Sequence, residues 1–274
     1  MSSPASGAMQ QRDQFAFFFG ADCEILEERY APTFGARLAV IDVPRGGDIR
    51  RYLASLSQNG LVTQQSAMSM LHPERLIFAY ERVMAIAVAI AAQPRAALLL
   101  GLGGGTMLRF LSAYFPDCAL TIVEHDPAIV ALAQRYFHVD HPIELTDAVE
   151  YVAATAGQFD AIFVDTYCGS GFNGPPGEFW EQCVTRLRPK GSIAINWADA
   201  RDKAIYRTHA RRAGKLTGRS FYLAPNSFKD NVVQLCSTDP ALDGARLRER
   251  AAWLGRLQRR KSPLDRCAIL DDFP

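Results

Sequence analysis

From residue 94 onward, short apolar runs alternate with stretches in which apolar residues recur every three or four positions. The runs at 96–100, 119–124, 143–146, 159–165 and 192–197 are near-continuous, the pattern of strands covered on both faces. Between them, 106–113, 128–137, 148–154 and 178–187 carry helical spacing. Regular alternation of the two predicts right-handed crossovers and a doubly wound α/β sheet. A helix over 203–216 follows, then strands at 220–223 and 231–236 with a turn at Pro225-Asn226-Ser227.

The first 70 residues have another texture. Short strand-like runs at 37–42, 49–53 and 60–63 are punctuated by Gly46-Gly47-Asp48 and Gln58-Asn59-Gly60, which predicts a small antiparallel sheet of hairpins. His72-Pro73-Glu74-Arg75 reads as the start of a helix through 92, with proline early, where its missing N–H costs nothing. The end of the chain, 242–260, reads as a charged amphipathic helix that serves as a solvated cover. The expected organisation is a disordered leader over 1–14, a small N-terminal β-hairpin domain over 15–70, the doubly wound domain over 71–240 and a helical tail over 241–274.

Composition narrows the function. Thirty basic and 29 acidic residues leave a net charge of +1 without a long basic run, which argues against nucleic acid or an anionic membrane as partner and for a small-molecule substrate. Six cysteines occur without a C-x-x-C pair, so neither a zinc knuckle nor a redox motif is expected. His138 and His141 lack partners at metal spacing. The most apolar stretch, 83–102, is cut by Gln93-Pro94-Arg95, and neither half reaches the about 20 residues a membrane span needs. Residues 1–11 are small and polar with no charged-then-apolar order, which reads as a leader rather than a signal peptide; the expected address is the cytoplasm.

Candidate chemistry gathers at strand ends. Leu98-Leu99-Leu100 runs into Gly101, Gly103, Gly104 and Gly105 and then a helix, a turn that lets backbone approach a ligand at a helix N-terminus. A tight turn with no ligand is the bland alternative. Glu124 ends the next strand, about 20 residues on, where an acid accepts hydrogen bonds from ribose hydroxyls. Asp147 follows the third strand and suits either an exocyclic adenine amine or a helix N-cap. Asp165 closes the fourth strand, and the Gly- and Pro-rich 166–177 after it reads as a lid. All of these fall on the carboxyl edge of the sheet, where open α/β folds bind ligands.

On these residues the sequence resembles the spermidine synthase (polyamine aminopropyltransferase) family over roughly 51–237. The resemblance implies a Rossmann-like sheet of the S-adenosylmethionine-dependent methyltransferase type, and S-adenosylmethionine or its decarboxylated form as donor. It also implies no metal, a small amine acceptor and a homodimer. Gly101–Gly105 matches the family's glycine loop, Glu124-His125-Asp126 its ribose-binding segment and Asp147-Ala148 its adenine segment. Gln64 or Gln65, with Gln65 preferred, and Tyr80 match the stretch that brings a Gln and a Tyr into the site. Asp165 matches the first Asp of D-[ST]-[ST]-D-P, the base. The chain also departs from the family pattern. The loop Asp of G-G-G-D-G-G falls on Gly104, the second Asp of the later motif falls on Cys168, and the family's Tyr-Pro appears as Ala224-Pro225. Glu178 and Asp199 are candidates to compensate. Three functions follow: transfer of an aminopropyl-type group to a non-standard amine, methyl transfer with Gly104 leaving room for the donor's own carboxylate, or nucleoside binding without catalysis.

Overall fold

A computed structural model describes residues 14–32, 35–91, 93–166, 175, 177–198, 204–225 and 231–270. A helical segment at 14–19 (α1) precedes β1 (Glu24–Ala31), β2 (Ala36–Arg45), β3 (Asp48–Leu56) and β4 (Val62–Ser69), which form one antiparallel sheet in that order. Alternation sends Ala39 and Ile41 to one face with Phe15 and Phe19, and Leu38 and Val40 to the other. Because both faces are covered, the run reads as continuously apolar. The edge strand β1 was not expected, since Glu24, Glu27, Glu28 and Arg29 obscure its period.

The chain then turns rather than entering a helix at Pro73. Arg75 N–H closes that turn on the His72 carbonyl (3.0 Å). Helix α2 (Ala79–Met84) begins only where Glu81 Oε2 accepts from the Phe78 N–H (2.9 Å), and α3 (Ile86–Ile90) follows. Next come β5 (Ala96–Leu100), α4 (Thr106–Tyr114), β6 (Ala119–Glu124), α5 (Pro127–Tyr136), β7 (Glu144–Leu145), α6 (Ala148–Ala154), β8 (Phe159–Val164), α7 (Phe179–Thr185) and β9 (Leu187–Ala198). The last elements are α8 (Ala204–Thr217), β10 (Arg219–Pro225), β11 (Asn231–Ser237), α9 (Gly244–Leu257) and β12 (Cys267–Leu270). The second sheet has the order β12-β10-β11-β9-β8-β5-β6-β7. It is parallel from β7 through β9 and antiparallel beyond, so the doubly wound sheet carries an antiparallel extension.

The end of the chain is not merely a cover. Leu247, Ala251 and Leu254 of α9 lie fully buried in the cluster that contains Ile86 to Ala89, and β12 pairs with β10. Their i, i+4, i+7 spacing gives the helix an apolar stripe among its arginines, and that stripe seats it on the core. Among the described residues no helix is long and apolar enough to cross a membrane.

The two sheets meet through α5. Ile129, Leu132 and Phe137 pack with Leu38, Val40, Leu53 and Met68. Arg51 grips Asp42 with Nε and Nη2 (2.7 Å each) and donates from Nη1 to the Tyr136 carbonyl (2.9 Å). Glu27 accepts from the Tyr136 hydroxyl (2.9 Å) and Arg135 (3.0 Å). This contact brings β4 against the turn after β5.

Candidate active site

The turn after β5 is tied to its neighbours. Gly101 donates to the Val123 carbonyl and Asp165 N–H donates to the Leu100 carbonyl, both at 2.9 Å. Gly101 has φ +98°, and a Cβ there would lie 2.3 Å from the Asp165 carbonyl oxygen, so only glycine fits. Strand order reverses beside β5, and a cavity of about 820 Å³ opens along the carboxyl edge at that switch point.

On the β6 side, Glu124 is 6% exposed. Its Oε2 accepts from Leu102 N–H (3.0 Å), and its Oε1 accepts from the N–H groups of His125 (2.9 Å) and Asp126 (3.0 Å), with His125 Nδ1 3.3 Å away. Burial pushes this carboxyl up, but the bonds from His125, Asp126 and Leu102 outweigh it and hold it below the ordinary range. The same bond to Glu124 raises His125. A Gln at 124 has one acceptor oxygen and must turn an amide NH₂ toward these donors, so Glu124→Gln is expected to cost about 1–3 kcal/mol. A depressed carboxyl contributes stability above its unfolded value and loses it as pH falls. Melting curves of parent and variant should therefore differ at neutral pH and converge as pH falls through the lowered range of this carboxyl.

Asp147 and Ala148 line the same end of the cavity. Asp147 Oδ1 accepts from Val149 N–H (2.7 Å) and Glu150 N–H (3.4 Å), so it caps α6 while it faces the cavity. Gln64 and Gln65 line it from β4, with Gln65 Nε2 donating to Ser55 (2.9 Å). Gly101, Gly103 and Gly105 are in the wall, but Gly104 is not. Its N–H donates to Ser66 Oγ (2.8 Å), and a Cβ on it would come within 2.8 Å of Ser66 Cβ and 3.1 Å of the Phe137 ring. The space that a side chain at 104 would take is therefore occupied by Ser66 and Phe137. No room for a donor carboxylate opens there, contrary to the sequence expectation.

On the β8 and β9 side, Asp165 Oδ1 accepts from Asn196 Nδ2 (2.8 Å), whose own Oδ1 accepts from Asn231 (3.0 Å). Tyr80 of α2 hydrogen-bonds Asp165. Burial raises the Asp165 carboxyl against the pull of Asn196 and Tyr80. Burial, then the charges of Asp165 and Glu81, raise Tyr80 well above its ordinary value, so its hydroxyl keeps its proton and is the donor. Phe179, Trp180, Trp197 and Tyr206 add an aromatic wall. Their indoles are satisfied elsewhere: Trp180 donates to His209 and Trp197 to Gln234, both at 3.1 Å.

Sequence reasoning missed Ser66, Glu81, Arg109, Asn196 and Asn231. Asn196 alone carried a signal, as a polar residue inside the apolar run Ala194-Ile195-Asn196-Trp197. Glu178 is exposed and does not line the cavity. Tyr167, Cys168, most of the 166–177 segment and Asp199 lie outside the described residues. Among the described residues no group of three or more His, Cys, Asp or Glu is placed to hold a metal.

No family profile matches the chain. The polyamine aminopropyltransferase of Chromobacterium violaceum is 30% identical over 195 residues, which cover 67% of this chain and 72% of that protein. The structure of a probable spermidine synthase from Corynebacterium glutamicum superposes with a TM-score of 0.64 at 18% identity, covering 91% of this chain and 90% of that one. Human methyltransferase-like protein 13 in complex with SAH superposes with a TM-score of 0.58 at 23% identity, covering 67% and 93%. The two structures share the fold. The first relative, matched over most of its length, shows more: this chain belongs to the polyamine aminopropyltransferase family and is a transferase.

Proposed function

We propose that the chain moves an aminopropyl group from decarboxylated S-adenosylmethionine to a small, non-standard amine. The observation that carries this reading is the Asp165 carboxyl in the cavity wall, placed there by Asn196 and Tyr80. The amides of the glycine turn do not choose between donors: Gly101, Leu102, Gly104 and Gly105 are paired, while α4 begins at Thr106 without a side-chain cap. Asp165 lies beside that turn, its N–H on the Leu100 carbonyl, and its carboxyl suits an ammonium group.

In the reaction, the acceptor nitrogen forms a bond to the methylene on the sulfonium. The carbon–sulfur bond breaks with its electron pair going to sulfur, and neutral methylthioadenosine leaves. Asp165 takes the proton that the amine loses. The donor is already activated by its positive charge, so the protein's share is alignment and this proton. A homodimer is the setting that the family resemblance implies.

Methyl transfer is the second reading, favoured by the likeness to human methyltransferase-like protein 13. The filled space beside Gly104 weighs against it. Calorimetry with decarboxylated S-adenosylmethionine, S-adenosylmethionine and methylthioadenosine tests the choice. The decarboxylated donor is expected to bind at least about tenfold tighter than the intact one, a difference of about 1.4 kcal/mol. Equal or tighter binding of the intact donor overturns the proposal, and binding of none supports a protein without catalysis.

A further inference from the structure

We propose that Glu81 is a second carboxylate of the reacting end, one that binds the ammonium group of the aminopropyl donor and gives up a proton to solvent as it does so. This rests on the aminopropyl-transfer reading.

Glu81 lines the cavity beside Tyr80 and is only 4% exposed. Oε2 is held by the Phe78 N–H at 2.9 Å, which fixes the side chain at the start of α2. The charged and titratable groups around it are Tyr80 and Arg82 on its own helix, Asp165 at the end of β8 and Arg109 on α4. Both arginines act on the Glu81 charge, though neither forms a salt bridge to it. Arg109 Nη1 donates to the carbonyls of Gly104 (2.5 Å) and Phe137 (2.7 Å), and its Nε donates to that of Pro73 (3.1 Å). Arg82 lies in the field of Arg260, Glu81 and Arg266. Thr106, 4% exposed and also in the cavity wall, is near enough to help hold the Glu81 charge, yet its Oγ1 has no well-formed partner.

This corner therefore holds two carboxyl groups and a hydroxyl, with one buried cation, Arg109, that acts on Glu81 without a salt bridge to it and leaves its Nη2 unpaired. Two buried carboxyl groups sharing a site cannot both ionise cheaply. Burial, with the Asp165 charge adding to it against the Phe78 bond and Arg109, pushes Glu81 up to about 8. At pH 7 the empty site then keeps a proton on Glu81. An ammonium group adds a positive charge directly against the carboxyl, which favours its ionised form. The protonated Glu81 and the incoming ammonium become a carboxylate–ammonium pair, and one proton enters solvent. The position also fits the loop, because Gly104 carries no carboxylate and Glu81 reaches the donor side from α2, against Thr106 at the start of α4.

Calorimetry at pH 7 in two buffers of unlike ionisation enthalpy tests this. Binding of decarboxylated S-adenosylmethionine is expected to release close to one proton, and methylthioadenosine, which has no ammonium group, none. In Glu81→Gln the release should vanish and affinity for the decarboxylated donor fall about 10–100-fold, with methylthioadenosine affinity unchanged. Glu81→Asp should restore part of both the release and the affinity. Donor binding without proton release by the parent overturns the inference and leaves aminopropyl transfer standing. Unchanged donor affinity in a folded Glu81→Gln does the same. Failure of the parent to bind the decarboxylated donor overturns both. The buffer comparison on the parent needs no variant to fold.

Discussion

Asp165→Asn is expected to lose about three orders of magnitude in kcat while donor affinity stays within about twofold, in line with the about 10²–10⁴ that a positioned base contributes. The substitution keeps shape. An Asn oxygen still accepts from Asn196 Nδ2, which sits 2.8 Å from Asp165 Oδ1, so the cavity wall is preserved. What disappears is the acceptor for the proton that the attacking amine must shed. Residual turnover should rise with pH, because a larger share of the amine then arrives already deprotonated. Single-turnover rates across pH, with calorimetry of donor binding, check both halves. Turnover at the parent's rate would remove Asp165 from the base role.

Gly104→Asp is expected to do the opposite of what alignment suggests. By the family pattern it restores a carboxylate. In this fold its Cβ meets Ser66 Cβ at 2.8 Å and the Phe137 ring at 3.1 Å, and the Gly104 carbonyl is tied to Arg109. Overpacking and a poorly satisfied buried charge together should cost about 3 kcal/mol, or about 10 °C in Tm, with no gain in turnover. Ser66→Gly in the same chain clears part of the space. The pair should therefore couple by about 1 kcal/mol or more in a double-mutant cycle, although the Gly104 N–H loses its acceptor. A Gly104→Asp protein as stable as its parent, and faster, would show that the turn is not packed this way.

How far the sequence could be read follows from where each residue gets its role. Strands β5, β6 and β8 were legible because enclosure on both faces leaves a continuous apolar run. Gly101, Glu124, Asp147 and Asp165 were legible because each sits at the end of its own strand, and strand ends meet along one edge in this fold. Ser66, Arg109 and Glu81 depend on packing between distant segments. Nothing in spacing joins 66 to 104 or 81 to 165, and Glu81-Arg82 reads as an ordinary charged step on a helix. The helix start at Pro73 misled for a related reason. Local chemistry favoured it, but the Phe78–Glu81 cap and the Arg109 contact to the Pro73 carbonyl set a later start. The end of the chain reads as a charged amphipathic helix, but spacing does not tell that its apolar stripe seats in the core beside Ile86 to Ala89, and β12 is recognised only through its pairing with β10.

The central claim is the group that is transferred. Incubating the protein with decarboxylated S-adenosylmethionine and small amines, then weighing the products by mass spectrometry, tests it most directly. Aminopropyl transfer predicts methylthioadenosine in equal amount to an acceptor heavier by one aminopropyl unit. A methylated acceptor with S-adenosylhomocysteine from the intact donor, and no methylthioadenosine from the decarboxylated one, would contradict it.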